Sequence, residues 1–189
     1  MRGKIVLVTG GARSGKSTFA EHYAAAAGEP VVYIATAQVG DEEMRLRVEL
    51  HQRRRPAEWL TIEAPVDADR AIAQAAQTAK VVLFDCLTLY TSNLLLAAAT
   101  LTEPAERQRY IIGAIDKLIE AAQASQATVI FVTNEVGMGI VPDNALAREY
   151  RDVAGKVNQR VAAAADEVYL VVCGLAVDIK QLAVRTGGS

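Results

Sequence analysis

The sequence predicts an α/β fold built on a mostly parallel sheet with helices on both faces, and three observations predict it. Short β-branched runs recur along the chain; longer stretches rich in Ala, Leu, Glu and Arg separate them; and the runs are apolar throughout rather than alternating. A strand apolar at every position is buried on both faces, as parallel strands covered by helices are.

Taken in order, the first strand is expected at Lys4–Thr9 and the first helix at Lys16–Ala27, which Gly28-Glu29-Pro30 ends. The run VVYIA predicts a second strand over Val31–Thr36, and the charged stretch after it a helix over Asp41–Arg54. Pro65 marks a turn before a helix over Ala68–Thr78, and VVLF predicts a strand over Val81–Phe84. Pro104 opens a helix over roughly Glu103–Ala124, and VIFV lies in a strand over Thr128–Thr133. Pro142 precedes a helix over roughly Ala145–Ala165, and VYLVV lies in the last expected strand, Glu167–Cys173.

The 189 residues suffice for one domain, 1–189, that buries roughly 70 % of its unfolded surface. With 51 % hydrophobic and 22 % charged residues the composition excludes disorder, and a net charge of -2 gives no basic footprint for nucleic acid. A small-molecule partner is expected instead. Cys86 and Cys173 each follow a strand-like run without metal-ligand spacing, and read as small buried hydrophobes in a reducing, cytoplasmic setting. The chain runs directly into its first strand, so no signal peptide is expected, nor is any membrane span.

Chemistry enters at Gly10-Gly11-Ala12-Arg13-Ser14-Gly15-Lys16-Ser17, a G-x-x-x-x-G-K-[ST] pattern between an expected strand and an expected helix. In that context it reads as a P-loop that holds the phosphates of ATP or GTP. Gly10 and Gly15 can take backbone angles barred to other residues, so that successive N–H groups turn inward at a helix N-terminus whose dipole favours anions. Lys16 would meet the β- and γ-oxygens, and Ser17 would place its hydroxyl on Mg²⁺. An acidic residue at the end of another strand completes the metal's shell, and Asp85 is the candidate; a helix N-cap is its structural alternative. A P-loop does not choose among kinases, GTPases and mechanical ATPases, although the small size favours a phosphotransferase.

Two histidines are present, His22 and His51. His22, inside the helix after the P-loop, reads as structural. If the segment around His51 is helical, one face gathers Arg47, His51, Arg54 and Arg55. Each cation at about 7 Å would cost an imidazolium roughly 0.6 kcal/mol in water-like screening, or about 2.4 kcal/mol at an effective dielectric near 20. The cluster therefore favours a neutral imidazole that can attack an α-phosphorus, giving a covalent nucleotidyl-histidine. A packing stripe of Met44, Val48 and His51 with a solvated arginine rim fits the same spacing.

TGGARSGKS at the start, VVYIATAQ followed by DEEM, a histidine in a basic stretch ending RRPAEW, and the block from Asn134 to Val172 together resemble the bifunctional adenosylcobinamide kinase/adenosylcobinamide-phosphate guanylyltransferase family. The resemblance covers nearly the whole chain. It implies a RecA-like P-loop sheet, a homotrimer, and two steps of cobalamin biosynthesis. In the first, ATP or GTP phosphorylates the aminopropanol hydroxyl of adenosylcobinamide. In the second, GMP passes from GTP to adenosylcobinamide phosphate, giving adenosyl-GDP-cobinamide and pyrophosphate. His51 matches the histidine that carries GMP covalently. Gly10 to Ser17, Thr36, Ala37, Gln38, Gln52, Arg53, Arg54, Arg55, Glu63 and Asp85 match guanine-nucleotide contacts. The apolar surplus of Leu87, Leu89, Tyr90, Leu94, Leu95 and Leu96 adds to the expectation of a homo-oligomer, an internal helix buried all round being the alternative. A single-activity small-molecule kinase and a nucleotide-sensing or assembly ATPase are the other functional readings.

Overall fold

The computed structural model describes residues 3–38 and 56–184. The expected helix Asp41–Arg54 lies outside the described residues. Within them the sheet has the order β3-β2-β4-β5-β1-β6-β7, where β1 is Ile5–Thr9, β2 Val31–Ala35, β3 Leu60–Glu63, β4 Val81–Asp85, β5 Thr128–Val132, β6 Glu167–Val172 and β7 Leu175–Asp178. All neighbouring pairs are parallel except β6 with β7. The helices are α1 Lys16–Ala27, α2 Ala68–Ala75, α3 Leu87–Ala97, α4 Pro104–Ala124, α5 Ala145–Ala164 and α6 Ile179–Leu182.

Strand alternation sorts the core into two layers. Ile5, Leu7, Val32, Ile34, Val82, Phe84, Val129 and Phe131 enter a larger layer with side chains of α2, α3, α4 and α5. Val6, Val8, Val31, Tyr33, Val81, Leu83, Ile130 and Val132 enter a smaller one with Ala20 and Ala24 of α1. The doubly covered sheet is therefore as the apolar runs require, and the expected strands each lie within a residue of their observed ends.

The strands β3 and β7 and the short helix α6 were not expected, and α3 was weighed only as an alternative. The edge strand β3 has Leu60 65 % exposed, so its four residues carry no continuous apolar signal. Helix α3 is the internal-helix alternative realised: Leu87, Tyr90, Leu94 and Leu95 are buried within the chain, Leu89 packs on the smaller core, and Leu96 stays exposed. The apolar surplus thus has an intramolecular cause and no longer argues for an oligomer. The hairpin β6–β7 turns through Cys173 and Gly174, whose φ values of 52° and 80° suit a two-residue turn. Cys173 is accordingly exposed, against the expectation of a buried hydrophobe, because the strand ends one residue before it; Cys86 is buried as expected. No helix among the described residues is long and apolar enough to cross a membrane.

Candidate functional site

Parallel pairing brings the carboxyl ends of the strands to one edge. Ala35 on β2 is paired with Glu63 on one side and Asp85 on the other; Asp85 is paired with Val132, and Val132 with Val8, next to the last residue of β1. The loop from Gly10 to Gly15 leaves this same edge and enters α1 at Lys16. Six strands pointing one way are what allow residues 63, 85 and 10–17, far apart in sequence, to border one surface.

The loop is shaped by close approach and by left-handed turns. A Cβ at Gly10 would fall 2.4 Å from the carbonyl oxygen of Val171 and 2.6 Å from Ser14 Oγ, so only glycine fits. Arg13 and Gly15 have φ values of 57° and 95°, in the left-handed region. Gly15 is the N-cap of α1 and supplies no capping side chain, leaving the first amide groups of the helix to face an anion. Gly11, Ala12 and Arg13 are exposed and Ser17 is half-buried. Ser14 is buried, and its Oγ has no hydrogen-bond partner among the described residues. From below, the amide of Gly174 donates to the carbonyl of Ser14 at 2.8 Å, so the β6–β7 turn props the loop. The sequence carried that prop only as an unremarked Cys-Gly pair.

Lys16 is 9 % exposed, and its Nζ donates to the carbonyl of Gly11 at 3.2 Å. Burial pushes its pKa below the usual lysine value, and the negative charge of Asp85 opposes that shift. The two side chains are therefore electrostatically coupled across the sheet edge. Asp85 is itself held by Tyr33, whose hydroxyl donates to Oδ2 at 2.9 Å, an orienting contact that sequence reading missed because Tyr33 lay inside an apolar run.

Asp85 is not the N-cap of α3. That position belongs to Cys86, whose Sγ accepts from the amide of Leu89 at 3.4 Å. Burial, reinforced by the charge of Asp85, pushes the Cys86 thiol up to about 12, so it stays protonated and is no nucleophile.

Thr36 is fully buried, and its hydroxyl is committed in both directions: it donates to the carbonyl of Cys86 at 2.9 Å and accepts from the Cys86 amide at 2.8 Å. Its own carbonyl accepts from Asn93 Nδ2 at 2.8 Å. Thr36 thus clamps the end of β4 and sets where Asp85 stands, while half-buried Ala37 and exposed Gln38 lead away from β2. Thr36→Val is expected to leave the Cys86 amide buried without a partner, destabilising the fold by about 1–3 kcal/mol. Urea unfolding checks this, and a loss under about 0.5 kcal/mol, the range of a neutral surface change, would dismiss the clamp. Glu63, the last residue of β3, is exposed at the same edge. His51, Gln52, Arg53, Arg54 and Arg55 lie outside the described residues.

The described residues contain no cluster of three or more His, Cys, Asp or Glu side chains able to hold a metal by themselves. Ser17 and Asp85 nevertheless offer the hard oxygen donors that suit Mg²⁺, an ion that takes few protein ligands and fills its shell with phosphate oxygens and water. Glycine cradle, unpartnered Ser14 hydroxyl, buried lysine and carboxylate together fit a Mg²⁺-nucleotide.

A family model described as cobinamide kinase / cobinamide phosphate guanyltransferase matches residues 6–179. The bifunctional adenosylcobalamin biosynthesis protein CobU of Salmonella typhimurium is 49 % identical over 181 residues, covering 93 % of this chain and 99 % of that protein. The protein of the same name from Escherichia coli is 46 % identical with the same coverage. The bifunctional adenosylcobalamin biosynthesis protein CobP of Pseudomonas aeruginosa is 40 % identical over 174 residues, covering 92 % and 96 %. Among solved structures, a prototypical ATPase from the type III secretion system superposes with a TM-score of 0.60 at 15 % identity, over 98 % of this chain and 60 % of that one. That likeness concerns the fold alone, a RecA-like P-loop sheet.

Proposed function

Because the chain belongs to the cobinamide kinase / cobinamide phosphate guanyltransferase family, and is a bifunctional transferase of cobalamin biosynthesis, we propose which residues carry its two reactions. Gly10, Gly11, Ala12, Arg13, Ser14 and Gly15 cradle the phosphates of ATP or GTP, and Lys16 follows the γ-phosphoryl group as it moves to the hydroxyl of adenosylcobinamide. Ser17 and Asp85 would hold Mg²⁺, which would supply neutralising charge to the phosphate oxygens. His51 takes GMP from GTP, releasing pyrophosphate, and passes it to adenosylcobinamide phosphate to give adenosyl-GDP-cobinamide. Ala37, Gln38, Gln52, Arg53, Arg54, Arg55 and Glu63 contact the guanine nucleotide. Thr36 joins them through its grip on Asp85.

The observation that carries this reading is that Asp85, oriented by Tyr33, and a loop that only glycine at position 10 permits border one edge of the sheet. Two labels test it. α-Labelled GTP should leave label on denatured protein, and γ-label should pass to adenosylcobinamide. A single-activity kinase would give the second result only, and a nucleotide switch neither. A homotrimer working in the cytoplasm as one domain completes the proposal; it is supported by family resemblance, and a monomer in sedimentation equilibrium would remove the trimer.

The coupling makes a pH prediction whose sign is fixed. Burial lowers the Lys16 pKa and Asp85 raises it, so Asp85→Asn removes the raising influence and Lys16 loses its proton at lower pH. The alkaline limb of the kinase pH profile should move toward neutrality, with a weaker response to Mg²⁺. A limb that stays in place while activity falls would restrict Asp85 to the metal.

A further inference from the structure

The sheet order inserts β5 between the P-loop strand β1 and the Asp85 strand β4, so the residues following β5 emerge between the two halves of the site. They remain in register beyond the strand's end. Val129, Thr133 and Glu135 donate their amides to the carbonyls of Lys4, Val8 and Gly10 at 2.8, 2.9 and 3.1 Å, so the register of the β1–β5 ladder continues past the end of β5. Side-chain alternation therefore persists through residue 135. Val129 and Phe131 face the larger core, and Thr133 continues that face by donating its hydroxyl to Asn158 Oδ1 of α5 at 2.7 Å. Asn134 falls on the opposite face with Ile130 and Val132, the face of α1, which also carries Val81, Leu83 and hence Asp85.

The backbone of Asn134 is gripped from both sides. Its amide donates to Thr88 Oγ1 at 2.8 Å, and its carbonyl accepts from Asn158 Nδ2 at 3.2 Å. Thr88 and Thr133 hydroxyls meet at 3.4 Å, which closes a ring: Asn134 amide to Thr88, Thr88 to Thr133, Thr133 to Asn158, Asn158 back to the Asn134 carbonyl. The donor directions are mutually consistent, since Thr133 gives its one proton to Asn158 and must receive from Thr88. Tyr150 steadies the ring by donating to the carbonyl of Thr88 at 3.1 Å. Three polar side chains from α3, β5's end and α5 thus fix one backbone position while leaving the Asn134 carboxamide outside the ring. A fold that needed only to staple α5 to the sheet would not require an asparagine there.

We propose that Asn134 is a catalytic residue of the kinase step, its carboxamide N–H donating to a γ-phosphoryl oxygen during transfer. In that step the bond from the γ-phosphorus to the bridging oxygen breaks, with its electron pair leaving on the diphosphate. The substrate hydroxyl oxygen bonds to the phosphorus, and the hydroxyl proton passes to solvent. Asn134 neither gains nor loses a proton; it stabilises charge on the equatorial oxygens from a position fixed before the reaction. This assignment rests on the proposed function, in which Lys16 meets the triphosphate and Asp85 would hold its Mg²⁺.

The test uses full-length Asn134→Ala and Asn134→Asp. Asn134→Ala should lower kcat for γ-phosphoryl transfer to adenosylcobinamide on the order of 10²-fold, as loss of one preorganised donor does. Its Tm and GDP affinity should not change, because the ring uses only the Asn134 backbone and GDP has no γ-phosphate. Asn134→Asp should be slower still, since a carboxylate there repels the transferring group. A kcat for Asn134→Ala within about twofold of the parent, an aspartate variant faster than the alanine one, or a parallel loss of GDP affinity would each overturn the proposal. A parent chain that passes no γ-label to adenosylcobinamide would count against the functional reading instead. Asn134 is then decided without corrinoid: a preference for a non-hydrolysable GTP analogue over GDP that disappears in Asn134→Ala supports the contact, and one that persists refutes it.

Discussion

Lys16→Ala is expected to lower γ-phosphoryl transfer to adenosylcobinamide on the order of 10³-fold at saturating nucleotide. The ammonium is the mobile positive charge of the site, and the carbonyl of Gly11 that holds it in this structure is a weak competitor for it compared with a triphosphate. The loss is not an unfolding effect. Burial penalises the charged form of Lys16, so the folded chain does not gain stability from the ammonium, and alanine removes that penalty. Single-turnover transfer of γ-label, with Tm measured on the same preparation, separates the two causes. Near-parental turnover with an unchanged Tm would mean that another cation follows the phosphoryl group.

Much of the fold was legible because burial on both faces leaves an unmistakable trace. The runs VVYIA, VVLF and VIFV contribute side chains alternately to two cores, and no solvent-facing position interrupts them. Where that condition failed, legibility failed. β3 lies at the sheet's edge with Leu60 exposed, so LTIE resembles any short connecting segment. α3 failed for the opposite reason: with Leu87, Tyr90, Thr91, Asn93, Leu94 and Leu95 all buried, it has no polar face from which a 3.6-residue stripe could be recognised. The same eleven residues that look like an oligomer surface in one dimension are the filling of a single chain in three.

The site divides along similar lines. Its P-loop could be read directly, since a glycine at position 10 and a lysine at 16 are local requirements of one turn and one helix start. Lateral strand order, by contrast, leaves no local mark. Nothing in residues 128–135 says that this strand separates β1 from β4, so the proximity of Asn134 to both halves of the site, the grip of Tyr33 on Asp85 and the prop of Gly174 under Ser14 became visible only with the sheet assembled. Thr36 carries a role that its sequence position did not disclose. Family likeness marks it as a nucleotide contact, and its hydroxyl also bonds the Cys86 backbone in both directions, beside Asp85.

His51→Asn is expected to abolish label on the protein from α-labelled GTP, and guanylyl transfer with it, while leaving most of the kinase activity. The asymmetry follows from the two chemistries. Phosphoryl transfer needs the P-loop, Mg²⁺ and a positioned hydroxyl, and forms no covalent enzyme intermediate. Guanylyl transfer through histidine needs a nitrogen nucleophile at the α-phosphorus, which the amide of asparagine cannot supply because its lone pair is delocalised. If this segment is helical, Arg47, Arg54 and Arg55 share a face with His51. Their charge would then disfavour the imidazolium, and labelling is expected to persist into mildly acidic solution. The adduct itself should be lost in acid and survive alkali, as a phosphorus–nitrogen bond to imidazole does, which distinguishes it from an ester on serine or threonine. Retention of acid-labile label in the asparagine variant would move the nucleophile elsewhere and leave the arginine cluster as a phosphate-binding surface only; loss of kinase activity in step with labelling would mean that the two reactions depend on one arrangement of this segment.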